Sequence, residues 1–235
     1  MFKASNTQYS KPLLGCHINT NHPLSRNLNL FWLLNENNGQ IVTDMVRKKK
    51  GTLTNNAHWE GTKYGPGVFF DGTNDYINCG QIILPNNASI SIWGIVKVHV
   101  LANLDTYFGM EAFGAQQTFI LRNSSAKVEL VMFLGGSERI LTGATSFIVR
   151  NYYMISGVYS RSGMKVYLNG RLDASNTTIG TYALNQIFYI ASSAEGLSGR
   201  SINGTVISVG VWNRELTPAE QYWLYKEPFA MFQSP

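Results

Sequence analysis

The sequence predicts an all-β fold, a two-sheet antiparallel sandwich with one short helix near its C-terminus. Three observations carry that expectation. From Ala88 to Val100 the chain alternates without a break: Ala88, Ile90, Ile92, Gly94, Val96, Val98 and Val100 share one face, and Ser89, Ser91, Trp93, Ile95, Lys97 and His99 share the other. About a dozen strand-length apolar runs are separated by turn formers, and the 235 residues include 22 Gly and 22 Asn. A single segment carries a helix start signature.

The elements follow in order. Residues 1–27 are polar and broken by Pro12, Gly15 and Pro23, so they read as an N-terminal arm outside the core. Its Phe2, Tyr9 and Leu13-Leu14 are too few to pack alone; such a segment orders against a partner or frays. Residues 28–235 form the body. Its first strand places Leu28, Leu30, Trp32 and Leu34 on one face and stops at the turn Asn37-Asn38-Gly39. After the strand 88–100, further strands are expected at 117–122, 127–134, 151–160, 163–168, 186–192 and 202–212, with 66–71 and 75–79 preceding it. Asn169-Gly170 lies between the apolar runs ending at Leu168 and starting at Leu172, and supplies the positive φ angles of a tight hairpin turn. Thr217 as N-cap, Pro218 at the first helical position and Glu220 closing a capping box predict a helix of about two turns before Pro228.

Charge narrows the function. The chain has 19 Lys+Arg against 14 Asp+Glu. Residues 1–50 hold seven basic and two acidic residues, a balance of +5, leaving twelve of each sign in 51–235. A nucleic-acid binder would instead show a basic stripe interleaved with aromatics. The compact run Arg47-Lys48-Lys49-Lys50 reads as a solvated loop or a dock for an acidic surface. No apolar stretch is long enough to span a membrane, and the first residues show no secretory leader. Cys16 and Cys79, far apart, read as buried thiols. Sequons at Asn87, Asn123, Asn176 and Asn203 read as chance in so Asn-rich a chain.

Several segments are similar to a known family. Trp32–Gly39, Gly51–Asn55 with Trp59, and above all Gly67-Val68-Phe69-Phe70-Asp71-Gly72-Thr73-Asn74-Asp75-Tyr76-Ile77 resemble the laminin-G-like, concanavalin A-like jelly-roll superfamily. Lys165–Gly170 is similar to that family's late hairpin, and Val209–Glu220 to its last strand and short helix. The resemblance implies a jelly-roll body. The opening Asn21–Leu28 and the close Tyr225–Phe232 further resemble stand-alone versions in tailed-bacteriophage virions. That implies a virion location, as a capsid decoration or tail or fibre subunit, with other virion proteins and further copies of the chain as partners. The Met45-Val46 turn after Asp44 departs from the Gly/Asn-rich turn of relatives.

The sequence argues against an enzyme. Glycoside hydrolysis on this scaffold needs paired carboxylates, most economically at i, i+2 and i+4 of a strand. No two acidic residues here are separated by a single residue, and the closest pair is Asp71 and Asp75. His17, His22, His58 and His99 are dispersed, with no zinc spacing and no Gly-x-Ser-x-Gly elbow. No catalytic, metal or cofactor residue is therefore assigned. Two binding alternatives remain open. Asp71, Asn74 and Asp75 could offer oxygens to calcium, as the resemblance to pentraxins and laminin modules suggests, or could simply cap their own turn. Trp59, Tyr64, Tyr107 and Tyr182 fall in loop-like contexts and could stack on a surface glycan, whereas Trp32, Trp93 and Trp212 belong to the core. A virion scaffold and a lectin-like adhesion module are the two resulting functions.

Overall fold

The computed structural model describes residues 10–110, 119–192 and 200–234. Along the chain run β1 (His17–Ile18), β2 (Leu28–Trp32), β3 (Ile41–Thr43) and β4 (Lys50–Thr54). They are followed by β5 (His58–Thr62), β6 (Gly65–Asp71), β7 (Tyr76–Leu84) and the long β8 (Ile90–Val100). The middle of the chain supplies β9 (Thr106–Met110), β10 (Phe119–Ser124), β11 (Lys127–Leu134) and β12 (Ser137–Ser146). Next come β13 (Tyr152–Ser160), β14 (Gly163–Leu168), β15 (Arg171–Ser175), β16 (Leu184–Ile190) and β17 (Asn203–Trp212). Helix α1 (Pro218–Lys226) and β18 (Phe232–Gln233) close the chain.

Two large antiparallel sheets result. The first is ordered β12-β11-β10-β9-β16-β7-β4-β3, and the second β15-β14-β13-β8-β17-β6-β5. Strand β2 joins the second sheet through β17, pairing Val209–Trp212, while β6 pairs Asn203–Val206 on the same strand. The expected jelly-roll sandwich is therefore present. Between the sheets lies the main core, where Leu30, Trp32, Phe70, Ile92 and Val96 meet Ile77, Phe108, Leu121, Leu130 and Phe188. Trp32 stacks flat on Phe188 with ring centroids 5.2 Å apart. Gly94 interrupts the apolar face of β8 because a Cβ there would sit 2.4 Å from the Phe108 ring and 2.7 Å from the Ser208 carbonyl.

The second sheet is buried on its other face too. Phe31, Trp93, Ile95, Met154, Ile207 and Trp212 point outward from it, under Cys16, Leu24, Leu216, Leu224, Phe229 and Met231. Both ends of the described chain meet there: β1 pairs with β18 through His17–Gln233 and Ile18–Phe232. The Trp212 indole N–H donates to the Leu24 carbonyl at 2.6 Å. Lys11 is buried as well, its Nζ donating to the carbonyls of Leu34 (2.6 Å) and Pro66. Burial holds that ammonium well below the ordinary lysine range, partly countered by Glu36.

The expectation that residues 1–27 stay outside the core does not hold for 10–27. The apolar content of that segment is low, but Cys16 and Leu24 complete a layer whose other members come from the sheet, α1 and the tail. A second correction concerns β2. Leu30, Trp32 and Leu34 share the inner core as expected, but a register shift between Val211 and Trp212 opposite Leu28 turns Leu28 to the outer layer. Both cysteines are free and buried, as read from their spacing.

Candidate functional site

The site is built by α1 and the turns around it. Thr217 Oγ1 accepts the Glu220 N–H at 3.3 Å and Glu220 Oε2 accepts the Thr217 N–H at 2.9 Å, the capping box expected from the sequence. Arg214 grips both Glu220 oxygens at 2.7 and 2.8 Å. Burial works against the ionised Glu220, yet these bonds hold its carboxyl below the usual range. Buried Leu224 and buried Gln221, whose Nε2 donates to Ser156 Oγ at 3.0 Å, fix the helix rotation. Positions three apart share a helix face, so Tyr222 and Tyr225 turn outward together, 47% and 38% exposed.

The β14–β15 hairpin supports this face. Asn169 and Gly170 take φ values of 50° and 75°, the left-handed pair that Asn-Gly predicts. Gly170 is also pressed on the helix: a Cβ there would lie 2.6 Å from Tyr225 Cβ and 3.0 Å from the Gln221 carbonyl.

Two hollows meet at Tyr225 and Lys226. One, of about 480 Å³, is edged by Thr145, Asn169, Arg171, Asp173, Tyr222 and Tyr225. Asp173 is anchored there, accepting the Thr145 hydroxyl at 2.6 Å. The other, of about 420 Å³, is lined by Lys63, Tyr64, Tyr225 and Lys226. Lys63 and Tyr64 sit on the turn between β5 and β6, where Thr62 Oγ1 accepts the Tyr64 N–H at 3.1 Å. Tyr64 meets Tyr152 edge-on at 5.6 Å. Lys63 Nζ stands 4.6 Å over the Tyr152 ring and 5.0 Å over Tyr64, and Lys97 Nζ lies 5.6 Å over Tyr152. Lys226 Nζ is 5.4 Å from the Tyr222 ring centre and 5.5 Å from that of Tyr225. The arrangement offers aromatic surface, hydrogen-bonding side chains and positive charge.

Of the aromatics singled out from sequence, Tyr64 alone lies at this groove. Trp59 is half-buried on β5, its indole donating to the Gly39 carbonyl at 2.9 Å. Tyr107 and Tyr182 are corrections: both are buried members of the inter-sheet core. β9, TYFGM, is buried on both faces and shows no alternation, so the sequence does not mark Tyr107 as a strand residue. Tyr182 sits in irregular chain, but its ring packs edge-on against Tyr159 at 5.3 Å and its hydroxyl donates to the Ala88 carbonyl. Tyr152, Tyr222 and Tyr225 lie inside regular elements, β13 and α1, where the sequence gives no sign that their rings reach a groove.

The Asp71–Asp75 loop caps its own backbone. Asp75 is buried and accepts the Asn56 N–H at 2.8 Å and the Asp71 N–H at 3.0 Å, while Asp71 accepts the Thr73 N–H at 2.8 Å. Both Asp75 oxygens and one Asp71 oxygen thus serve backbone N–H groups, the capping alternative offered by the sequence. Among the described residues, no three His, Cys, Asp or Glu side chains group as metal ligands. His99 lies beside the Phe69 ring at 5.3 Å, and burial, with Lys97 next, lowers its basicity. The basic run is a built turn rather than a free loop: Asp44 caps it, and Lys49 donates to the Gln81 carbonyl at 2.9 Å.

Asp105 has no cationic partner among the described residues. It is 3% exposed and accepts the Ala102 N–H at 2.9 Å; burial raises its pKa to about 6, only partly offset by that bond. A carboxyl raised on folding favours the folded state most below its unfolded pKa, and this contribution is lost as pH rises through about 6. Asp105→Asn is therefore expected to flatten the fall in stability between about pH 4 and 6 and to stabilise the protein at pH 7, measured by urea titration across pH.

No described helix is long and apolar enough to cross a membrane. Among curated proteins, none matches this chain in sequence. Solved structures share the fold. Domain 4 of AbnA, an extracellular arabinanase of Geobacillus stearothermophilus solved with arabinotriose, is 18% identical with a TM-score of 0.68, over 85% of this chain and 98% of that domain. Trypanosoma rangeli sialidase in complex with sialic acid is 17% identical with a TM-score of 0.66, over 88% of this chain and 34% of the sialidase. The receptor-binding domain of botulinum neurotoxin D is 14% identical with a TM-score of 0.66, over 85% of this chain and 52% of that one. The chain thus spans about a third of the sialidase and about half of the neurotoxin domain. The family model described as the concanavalin A-like lectin/glucanases superfamily matches residues 71–220, from the Asp71 turn to the Glu220 cap. That match covers more than half of the chain and runs through both sheets, and the chain belongs to the concanavalin A-like lectin/glucanases superfamily.

Proposed function

We propose that the chain is a non-catalytic carbohydrate-binding module whose ligand lies in the two-lobed groove beside α1. One observation carries the proposal: Tyr222 and Tyr225 stand exposed over Asn169, Arg171 and Asp173 in a hollow of about 480 Å³. Saccharides have apolar C–H faces and hydroxyl rims, so a site for them pairs aromatic rings with a few fixed polar groups. The shared fold with an arabinanase domain solved with arabinotriose supports the reading.

A glycan array tests it. The full chain is expected to retain at least one class of oligosaccharide, and Tyr225→Ala to weaken that binding about tenfold, since a stacked ring contributes about 1–1.5 kcal/mol. An array with no bound glycan contradicts the proposal.

A second reading places the same module on the exterior of a tailed-bacteriophage particle, docked to other virion proteins or to copies of itself. It is supported by the resemblance of residues 21–28 and 225–232 to virion domains and by the large apolar side chains of Leu13 and Leu14, 76% and 62% exposed on an arm that Lys11, Cys16 and Leu24 anchor. Leu13→Ser/Leu14→Ser is expected to abolish particle association and leave glycan binding intact. Unchanged particle association in a co-sedimentation assay counts against it.

A further inference from the structure

We infer that the lobe between Tyr64 and Tyr225 receives the acidic group of a carboxylated or sulfated oligosaccharide; this deepens, and rests on, the carbohydrate reading above. Two ammonium groups line this hollow, Lys63 from the β5–β6 turn and Lys226 from the end of α1, and a third, Lys97 from β8, lies beside it over the Tyr152 ring that Lys63 shares. Each is held over a tyrosine ring, at 4.6 Å for Lys63 and Tyr152, 5.6 Å for Lys97 and Tyr152, and 5.4 Å for Lys226 and Tyr222. Among the described residues, no acidic side chain lines the hollow and none of the three ammonium groups is paired with a carboxylate.

Like charges gathered this way repel one another unless an anion joins them. The aromatic faces restrain the lysine stems and leave the N–H donors for a ligand. The same placement argues against a neutral sugar in this lobe. A C–H face stacking on the side of Tyr64 or Tyr152 that Lys63 covers would have to displace that ammonium group. A carboxylate or sulfate instead binds the ammonium groups where they stand, and charge-assisted bonds of this kind are the stronger type. At about 420 Å³ the hollow lies within the range of small-ligand clefts. It opens at Tyr225 and Lys226 into the hydrogen-bonding lobe, so one oligosaccharide can place its acidic unit beside Lys63 and a neighbouring unit beside Asn169 and Asp173.

The test is calorimetric titration of the full chain with a galacturonate tetrasaccharide, a sulfated heparin tetrasaccharide, a neutral galactan tetrasaccharide and an oligodeoxythymidylate. The expected result is binding of at least one acidic saccharide about tenfold or more tighter than the neutral one or the oligonucleotide at low salt. Lys63→Gln/Lys226→Gln should lose about tenfold toward that saccharide and weaken its salt dependence. Both side chains are exposed, so the variant should keep the parent melting temperature. Equal affinity for neutral and acidic saccharides, or an oligonucleotide bound as tightly as either, overturns the inference. Binding of the neutral saccharide alone overturns it while leaving the carbohydrate reading in place. No binding here and none on the glycan array removes both.

Discussion

Trp212→Ala is expected to lower the unfolding free energy by about 3–5 kcal/mol in a urea titration. Trp212 is fully buried in the outer layer, edge-on to Phe31 at 6.3 Å and to Trp93 at 6.5 Å. Its indole N–H also satisfies the Leu24 carbonyl at 2.6 Å. Truncation would leave a cavity beneath a layer drawn from the arm, α1 and the tail, and would orphan a buried acceptor at the same time. Trp212→Phe, which keeps most of the volume and loses the hydrogen bond, should lose less, about 1–2 kcal/mol. The two variants should also differ in limited proteolysis. With Trp212→Ala the segment 10–27 should be cleaved well before the body, because its anchor has gone. A loss under about 1 kcal/mol for Trp212→Ala would mean that the outer layer adds little to the fold.

Asp44→Ala is expected to destabilise by about 3 kcal/mol, by a different mechanism. Asp44 is fully buried and its carboxylate accepts the N–H groups of Phe31 at 2.6 Å, Val46 at 3.2 Å and Arg47 at 2.5 Å. Alanine strands those donors, and an unsatisfied buried donor costs about 1–3 kcal/mol; the Arg47 N–H, next to the exposed end of the turn, recovers part of its loss from water. Asp44→Asn keeps one acceptor oxygen and should lose about half as much. Thermal melts of the two variants against the parent check the order. Equal stability of Asp44→Ala and the parent would show that the turn satisfies its backbone in another way.

The inner half of the fold was legible in residues 28–235 because its strands are half-buried and alternate. Strands β8, β13, β14 and β17 fall within two residues of their expected bounds, as do the Asn169-Gly170 turn and the capped start of α1. The strands that went unread have other reasons. β12, SERILTGATS, lies at a sheet edge and is mostly exposed, so its polar character masks its pairing. β4 begins inside the basic run, at Lys50, and β5 buries no residue fully, with Trp59, Glu60 and Thr62 half-buried and no alternation of apolar side chains. The outer layer was hidden because it is assembled from Cys16, Leu24, Phe229 and Met231, residues more than two hundred positions apart that β1–β18 pairing brings together.

The groove was less legible than the fold. Tyr64 carried a signal because it lies in a Gly- and Thr-rich turn, but its partners belong to a strand, a hairpin tip and a helix. Their convergence depends on Gly170, where the close approach to Tyr225 lets the hairpin sit directly under α1. An Asn-Gly turn in a sequence announces its φ angles and says nothing of what presses on it.

The most direct measurement is an NMR titration of the protein, with its tyrosine rings labelled, against the saccharide class retained on the glycan array. The account predicts saturable shifts concentrated on Tyr222, Tyr225, Tyr64 and Tyr152, with Tyr107 and Tyr182 unmoved in the core. Shifts confined to the opposite sheet or to the Asp71–Asp75 turn, with the α1 face silent, would contradict it.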